Sequence, residues 1–319
     1  MAYTIMFWNV ENLYDTLDDP TRSYNAFTPT GEARWTIDKY NRRLDNLSQV
    51  FSTISDAHGG FPVLAGLSEV ENGSVLKALT GRKRFSGSHY KYVHYESNDA
   101  RGVDCGLLYR SDKFKLLGSE PVKLVLRSGR PYIGRDILAA WGTLDGETVI
   151  VYVCHFLSRR GGVNASAGFR RAGAETVRDH ALEMRKTYPD AKIIIMGDMN
   201  DSPRDESLAE LLRAGRNIHS IPPDEYFNPF WQLLDEGKGT SVYGNRWVLY
   251  DNIIVSANMI DSLQEKHGLH IVKCDKDHYG EIFRRPFMLH KGHPRRAFNG
   301  HSFQDGFSDH LPVLIRISR

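Results

Sequence analysis

The chain has 319 residues, 41% apolar and 25% charged, and its 41 Lys+Arg against 39 Asp+Glu leave a formal net charge of only +2. These are the values of a globular protein; no apolar run is long enough to form a membrane-spanning helix, and any contact with a polyanion must come from local basic patches rather than bulk charge. The three cysteines, Cys105, Cys154 and Cys274, show no CxxC spacing and read as reduced thiols, neither a disulfide framework nor a zinc site.

Met1-Ala2 runs straight into an apolar stretch with no signal peptide ahead of it, so a cytoplasmic location is the default expectation. A secreted or periplasmic location would require that a leader had been trimmed away. Apolar or alternating runs predict strands over Thr4–Val10, Val63–Val70, Tyr90–Glu96, Cys105–Tyr109, Ile137–Thr143, Thr148–Phe156, Lys192–Met196, Tyr250–Ser256 and Leu311–Ile317. Helical spacing predicts helices over Thr36–Ser55, Ala165–Thr187 and Arg204–Ala214; in the second, Ala172, Val177, Ala181 and Met184 share a face. No repeat, low-complexity linker or sharp change of composition divides the chain. One α+β domain over residues 1–319, acting as a monomer, is the simplest expectation.

The chemistry gathers where these strands end. Lys192-Ile-Ile-Ile-Met196 reads as a buried strand that stops at Gly197 and then delivers Asp198 and Asn200, two residues apart. On extended backbone such side chains point the same way, which would aim an acid and a neutral amide at one point. An acid can bind or deprotonate water there, and an amide can hold it without adding a second negative charge. Other strand ends offer Asn9, Glu69, His155, Asp251, and Asp309 with His310. Singly, each is more simply a turn former or a packed polar residue; converging on one face, they form a candidate site.

The ordered set FWNVEN, GLSEVEN, VCHF, MGDMND, LYDNIIVS and SDHLPV resembles the endonuclease/exonuclease/phosphatase superfamily, over nearly the whole chain from Asn9 to His310. The resemblance implies a four-layered α/β/β/α sandwich with two mixed β-sheets packed face to face. It also implies a divalent-metal-dependent phosphodiester hydrolase, using Mg²⁺ with Mn²⁺ as a possible substitute. Nucleic acid, DNA or RNA, is the expected partner. A small or lipid phosphate is the alternative substrate, and an inactive binding module the non-enzymatic one. Residue by residue, Glu69 corresponds to the metal-binding glutamate and Asp309 to the acid near the metal. Asn9 corresponds to the asparagine near the scissile phosphate, and His155 to the histidine on a phosphate oxygen. Asp198, with Asn200 beside it, corresponds to the residue that orients or deprotonates water. His310 corresponds to the essential histidine and Asp251 to the acid bonded to it. The physics agrees: a hard cation neutralises a phosphodiester and acidifies bound water, fixed donors take up charge on the phosphate oxygens, and an acid keeps a histidine oriented and protonated.

Several residues carry more than one reading. Glu69 and Glu71 share strand parity, and Glu69 is favoured because it follows the buried run directly. Glu11 shares parity with Asn9 and is either a second metal contact or a structural acid. Asp201 is expected to cap the turn into the next helix. Arg159 and Arg160, on a glycine loop just after His155, suit a phosphate clamp, and Arg101 reaches for a neighbouring phosphate. The basic segment from Arg284 to Arg296, with Phe287 and Met288, suits nucleic acid, an anionic membrane surface, or simply solvent. The aromatics around Tyr226 and Trp231 are expected in the core.

Overall fold

The computed structural model describes residues 2–19, 25–128, 132, 134–260 and 268–319. From the N-terminus run β1 (Tyr3–Leu13), α1 (Ile37–His58), β2 (Leu64–Val70), α2 (Gly73–Thr80), β3 (Tyr90–His94), β4 (Asp104–Arg110), β5 (Phe114–Val122), β6 (Ile137–Leu144), β7 (Glu147–His155), α3 (Val163–Thr187) and β8 (Lys192–Asp198). Then follow β9 (Ala214–Gly215), β10 (Tyr226–Phe227), α4 (Trp231–Asp235), the hairpin β11 (Ser241–Tyr243) and β12 (Arg246–Val248), and β13 (Asp251–Ser256). The last part holds β14 (His270–Val272), β15 (Gly280–Ile282), the small hairpins β16–β17 (Leu289–His290, His293–Pro294) and β18–β19 (Phe298–Asn299, Ser302–Phe303), and β20 (Val313–Ser318).

Two mixed sheets result. One has the order β14-β20-β1-β2-β4-β3 with β15 also on β20; the other has the order β5-β6-β7-β8-β13-β10-β9. Their facing sides alternate with their outer sides along each strand. Ile5 and Phe7 of β1 and Ile194 and Met196 of β8 enter the core between the sheets. Met6 and Trp8 pack outward against the α1 face carrying Leu44, Phe51 and Ile54. Ile193 and Ile195 pack outward against Ala174, Val177 and Ala181 of α3. Both faces of the central strands are therefore buried, which explains why these strands read as continuous apolar runs. The layers are the expected α/β/β/α sandwich.

α1 follows the extended Thr36 and stops at Gly59, whose φ of 73° is the left-handed cap that glycine favours. One strand was not anticipated and one expected helix fails. β5 had no strand signal because it is an edge strand: Pro121 lacks an amide hydrogen, a bulge interrupts Leu116–Gly118, and much of its surface is exposed. The helix expected over Arg204–Ala214 is only a π-helical turn, Ser207–Leu211. Arg213, at φ 59°, turns the chain so that Ala214 pairs in parallel with Tyr226. Sheet pairing wins over helix continuation.

Candidate active site

Neighbouring strands bring the central groups together in register. His155 pairs with Asp198 across parallel β7 and β8, and Asp251 pairs with Asp198 across antiparallel β8 and β13. A Cβ on Gly197 would lie 2.4 Å from the carbonyl oxygen of Cys154, so only glycine lets β7 and β8 run this close where they deliver the pair. From the other sheet, β1 brings Asn9 and β2 brings Glu69. Glu69 sits in a β-bulge at φ 64°, a left-handed conformation that turns its carboxylate out of strand alternation into the cleft. Glu71 bonds instead to the Asp15 amide and does not line this cleft.

The cleft has a volume of about 600 Å³. Asn9, Glu69, His155, Asp198, Asn200, Asp309 and His310 line it, with Arg101, Arg159 and Arg160; Asp251 lies fully buried behind His310. His310 Nδ1 is 2.7 Å from Asp251 Oδ2, and its Nε2 is 3.8 Å from Asp198 Oδ2. His155 Nε2 lies 3.7 Å from the same Asp198 oxygen and 3.9 Å from Glu69 Oε1. Asn9 Nδ2 donates to Asp198 Oδ2 at 3.0 Å, and the Asn200 amide donates to Asp198 Oδ1 at 3.0 Å. A single carboxylate, Asp198, thus stands at the centre of two histidines and two asparagines.

The environment sets each group's charge. Burial raises the Asp198 carboxyl to about 6, opposed by the charge of His310. Burial works against a charged His310, yet Asp251 and Asp198 hold its pKa well above that of a free histidine. Burial and the nearby Arg135 push His155 well below its ordinary range, so it is neutral. Glu69 is held well below the carboxylate range: burial would raise it, but the Arg101 guanidinium beside it outweighs that. At neutral pH the arrangement is an anionic Asp198 facing a cationic His310 and a neutral imidazole.

Several groups differ from expectation. Asn200 does not continue the strand; at φ 49° it turns, and its side chain donates to the Phe156 carbonyl at 2.9 Å. One of its side-chain amide hydrogens is therefore engaged with the backbone, and it acts on Asp198 through its own backbone N–H. Asp201 is not a helix cap but a buried node that accepts from Arg159, from Arg170 Nε at 2.7 Å and from the Ser207 hydroxyl at 2.6 Å. Arg159 is consequently not a free clamp. It pairs with Asp201 and with Asp205 at 2.8 Å, donates to the Asn200 carbonyl at 2.7 Å and lies over Tyr250. Arg160 is exposed and faces the cleft with no side-chain partner among the described residues. Arg101 donates to Glu69 at 3.0 Å. Glu11 is 2% exposed and accepts from the amides of Ala297 and Phe298, which makes it an anchor for the late basic segment. Of the aromatics around Tyr226 and Trp231, Tyr226, Phe227 and Phe230 are buried, while Trp231 is half-buried with Arg216 over its ring.

Supporting residues escaped the sequence reading. Thr240 donates to Asp251, Arg135 holds the His155 carbonyl and Asp99, and buried Arg43 bonds the carbonyls of Val10 and Phe307. No local pattern marks them. Only Ser308, which donates to the Asn9 carbonyl at 2.7 Å, had a signal, as the serine of SDH.

The donor set can be tested for a divalent cation. Asp198, Asp251 and His310 each place a ligand atom within 4.8 Å of the others and could hold one. That group is already a hydrogen-bonded chain, however, with Asp251 fully buried. Glu69 fits a hard cation better: it is ionised and lines the cleft, and a cation there would take the place of its ion pair with Arg101.

Residues 4–319 match the model of the Endonuclease/Exonuclease/phosphatase family, and the chain belongs to that family, whose members are hydrolases of phosphoester bonds. Protein angel of Drosophila melanogaster is 26% identical over 190 residues, 57% of this chain and 51% of that protein, so the chain spans about half the length of this curated relative. Two solved structures share the fold. D. rerio TDP2 complexed with a single-strand DNA product matches at a TM-score of 0.54 and 15% identity, covering 100% of this chain and 99% of that one. The Bacteroides thetaiotaomicron VPI-5482 mannosyl-6-phosphatase matches at 0.58 and 15%, covering 99% and 100%. Metal-dependent phosphodiester hydrolysis fits the family and the oxygen-rich cleft. Among the described residues, no helix is long and apolar enough to cross a membrane.

Proposed function

We propose that this chain is a divalent-metal-dependent phosphodiesterase that cleaves nucleic acid. The observation that carries the chemistry is His310, bonded to buried Asp251 on one side and facing Asp198 on the other, 3.8 Å away. Asp198 takes a proton from, or orients, the attacking water, steadied by Asn9 and the Asn200 amide. His310, kept cationic by its two acids, stabilises negative charge on the phosphate, and neutral His155 donates a hydrogen bond to a phosphate oxygen. Glu69 and Asp309 are the residues that would hold Mg²⁺ or Mn²⁺, which supplies charge neutralisation and acidifies water when bound.

Support for a polymeric substrate comes from the rim. Arg101, Arg160 and Arg296 line the cleft, and Tyr243, 59% exposed, stands at the tip of the β11–β12 hairpin. Cations with an exposed aromatic suit a strand of phosphates and bases. The test is a substrate panel of plasmid DNA, RNA, abasic DNA, inositol phosphates and sphingomyelin with Mg²⁺ and Mn²⁺. Cleavage of a nucleic acid is expected. Intact nucleic acids beside rapid turnover of an inositol or lipid phosphate would overturn the nuclease reading and leave a small-phosphate hydrolase.

A further inference from the structure

The basic segment before Asp309 contains five cations of very different placement. Arg284 lies over Trp247 at 5.2 Å, Arg285 over Phe283 at 4.0 Å and Arg295 over Phe307 at 5.7 Å. Lys291 sits at φ 49° in an exposed turn between β16 and β17. Only Arg296 of the five lines the cleft. It reaches Asp309 Oδ2 at 3.1 Å and Glu11 Oε1 at 3.4 Å.

Its backbone is fixed, while its paired head stays half-exposed. The amides of Ala297 and Phe298, the next two residues, donate to buried Glu11, at 2.6 Å and 3.3 Å. Phe298, 1% exposed, packs edge-on against Phe27 at 4.9 Å and beside Trp35 at 5.3 Å. On the other side, Arg295 donates its amide to the Met288 carbonyl at 2.7 Å and accepts from Phe307 at 2.7 Å. The Arg296 side chain, by contrast, keeps 47% of its surface exposed. A rigid base with an open guanidinium costs little ordering when an anion arrives, and the planar fork matches phosphate oxygens. Asp309 links this arginine to the next residue, His310, so the guanidinium lies one step outward from the reacting groups.

Building on the phosphodiesterase reading, we propose that Arg296 binds a phosphate flanking the scissile one, moving from Asp309 to the substrate and so selecting polyanions over isolated phosphate esters. The rest of the segment is scaffold. A partner phosphate replaces one of two carboxylates; the other, Glu11, stays bound to the backbone of Ala297 and Phe298 and keeps the segment in place.

The experiment compares Arg296→Ala and Arg296→Lys with Arg295→Ala, which removes the same charge outside the cleft. Binding of a single-stranded oligonucleotide is measured across a salt series in Ca²⁺, together with turnover of a small chromogenic diester in Mn²⁺, Mn²⁺ affinity and thermal melting. Arg296→Ala should weaken oligonucleotide binding roughly ten- to hundredfold, the scale of a lost charge-assisted contact, and reduce the salt slope by about one phosphate. The loss should exceed that on the small diester by about tenfold. Arg296→Lys should keep the melting temperature and the salt slope while recovering only part of the affinity. Arg295→Ala should change binding far less. Equal losses on both substrates, an unchanged salt slope, or equal effects of Arg295→Ala would overturn the assignment. If the wild type neither binds nor cleaves nucleic acid, the nuclease reading fails on its own, and short-chain inorganic polyphosphate becomes the probe. Weaker polyphosphate binding by Arg296→Ala then supports the assignment, and identical binding by variant and wild type overturns it.

Discussion

The two walls of the cleft are built differently. One is made of the ends of β7, β8 and β13, where His155, Asp198 and Asp251 stand in register and buried. The other is made of the β11–β12 hairpin and the segment before Asp309, which bring Tyr243 and Arg296 with half or so of their surface open. The first wall is held by ladder hydrogen bonds and two apolar layers, and it tunes charge by burial. The second is held by local caps and aromatic contacts, and it leaves its heads half-exposed, with Arg296 paired to Asp309 and Glu11. Rigid strands suit groups whose distances must not vary; exposed loops suit recognition.

The sharpest way to break this contrast is to remove the cation and then the buried groups. Metal stripping with excess chelator should abolish hydrolysis, and readdition of Mg²⁺ or Mn²⁺ should restore it; full activity without metal would remove Glu69 and Asp309 from the proposed site. Asp198→Asn and His310→Ala should each lower turnover by at least roughly a hundredfold. Neither should alter the fold. Near-normal rates with an unchanged melting curve would exclude the residue concerned.

A smaller effect should appear with pH. Asp198 must be ionised to act as a base, and its pKa is about 6 in the folded protein, raised by burial. kcat/KM should therefore fall on the acid side of about pH 6, by about tenfold per unit. The charge of His310 lowers this pKa, so in His310→Ala the acid limb should move to higher pH, as measured on the residual activity. A limb that stays in place or moves to lower pH would contradict the coupling.

The smallest effects separate two adjacent arginines. Arg159→Ala removes partners of Asp201 and Asp205 and should destabilise the fold by about 1–3 kcal/mol, seen in denaturant unfolding. Arg160→Ala should leave stability within about 0.5 kcal/mol and weaken oligonucleotide binding severalfold. The reverse pattern would mean that Arg159, not Arg160, meets the substrate.

Some of this was legible in the chain itself. The double-sided apolar runs of β1 and β8 follow from strand geometry and burial on both faces, which leave their mark on consecutive residues. Strand-end motifs are equally local, so Asn9, Glu69, His155, Asp198, Asp251, Asp309 and His310 could be picked out before their neighbours were known. What the sequence could not decide is which charges were already matched. Arg159 meets Asp201 and Asp205 some forty residues on, and Arg296 meets Glu11 from nearly the other end of the chain. Asn200 leaves extended backbone in a turn that no spacing announces, and the Arg204–Ala214 pattern yields to strand pairing with Tyr226. Local periodicity is written by neighbours along the chain. Ion pairing and the competition between helix and sheet are settled by neighbours in space, and only the folded chain brings those together.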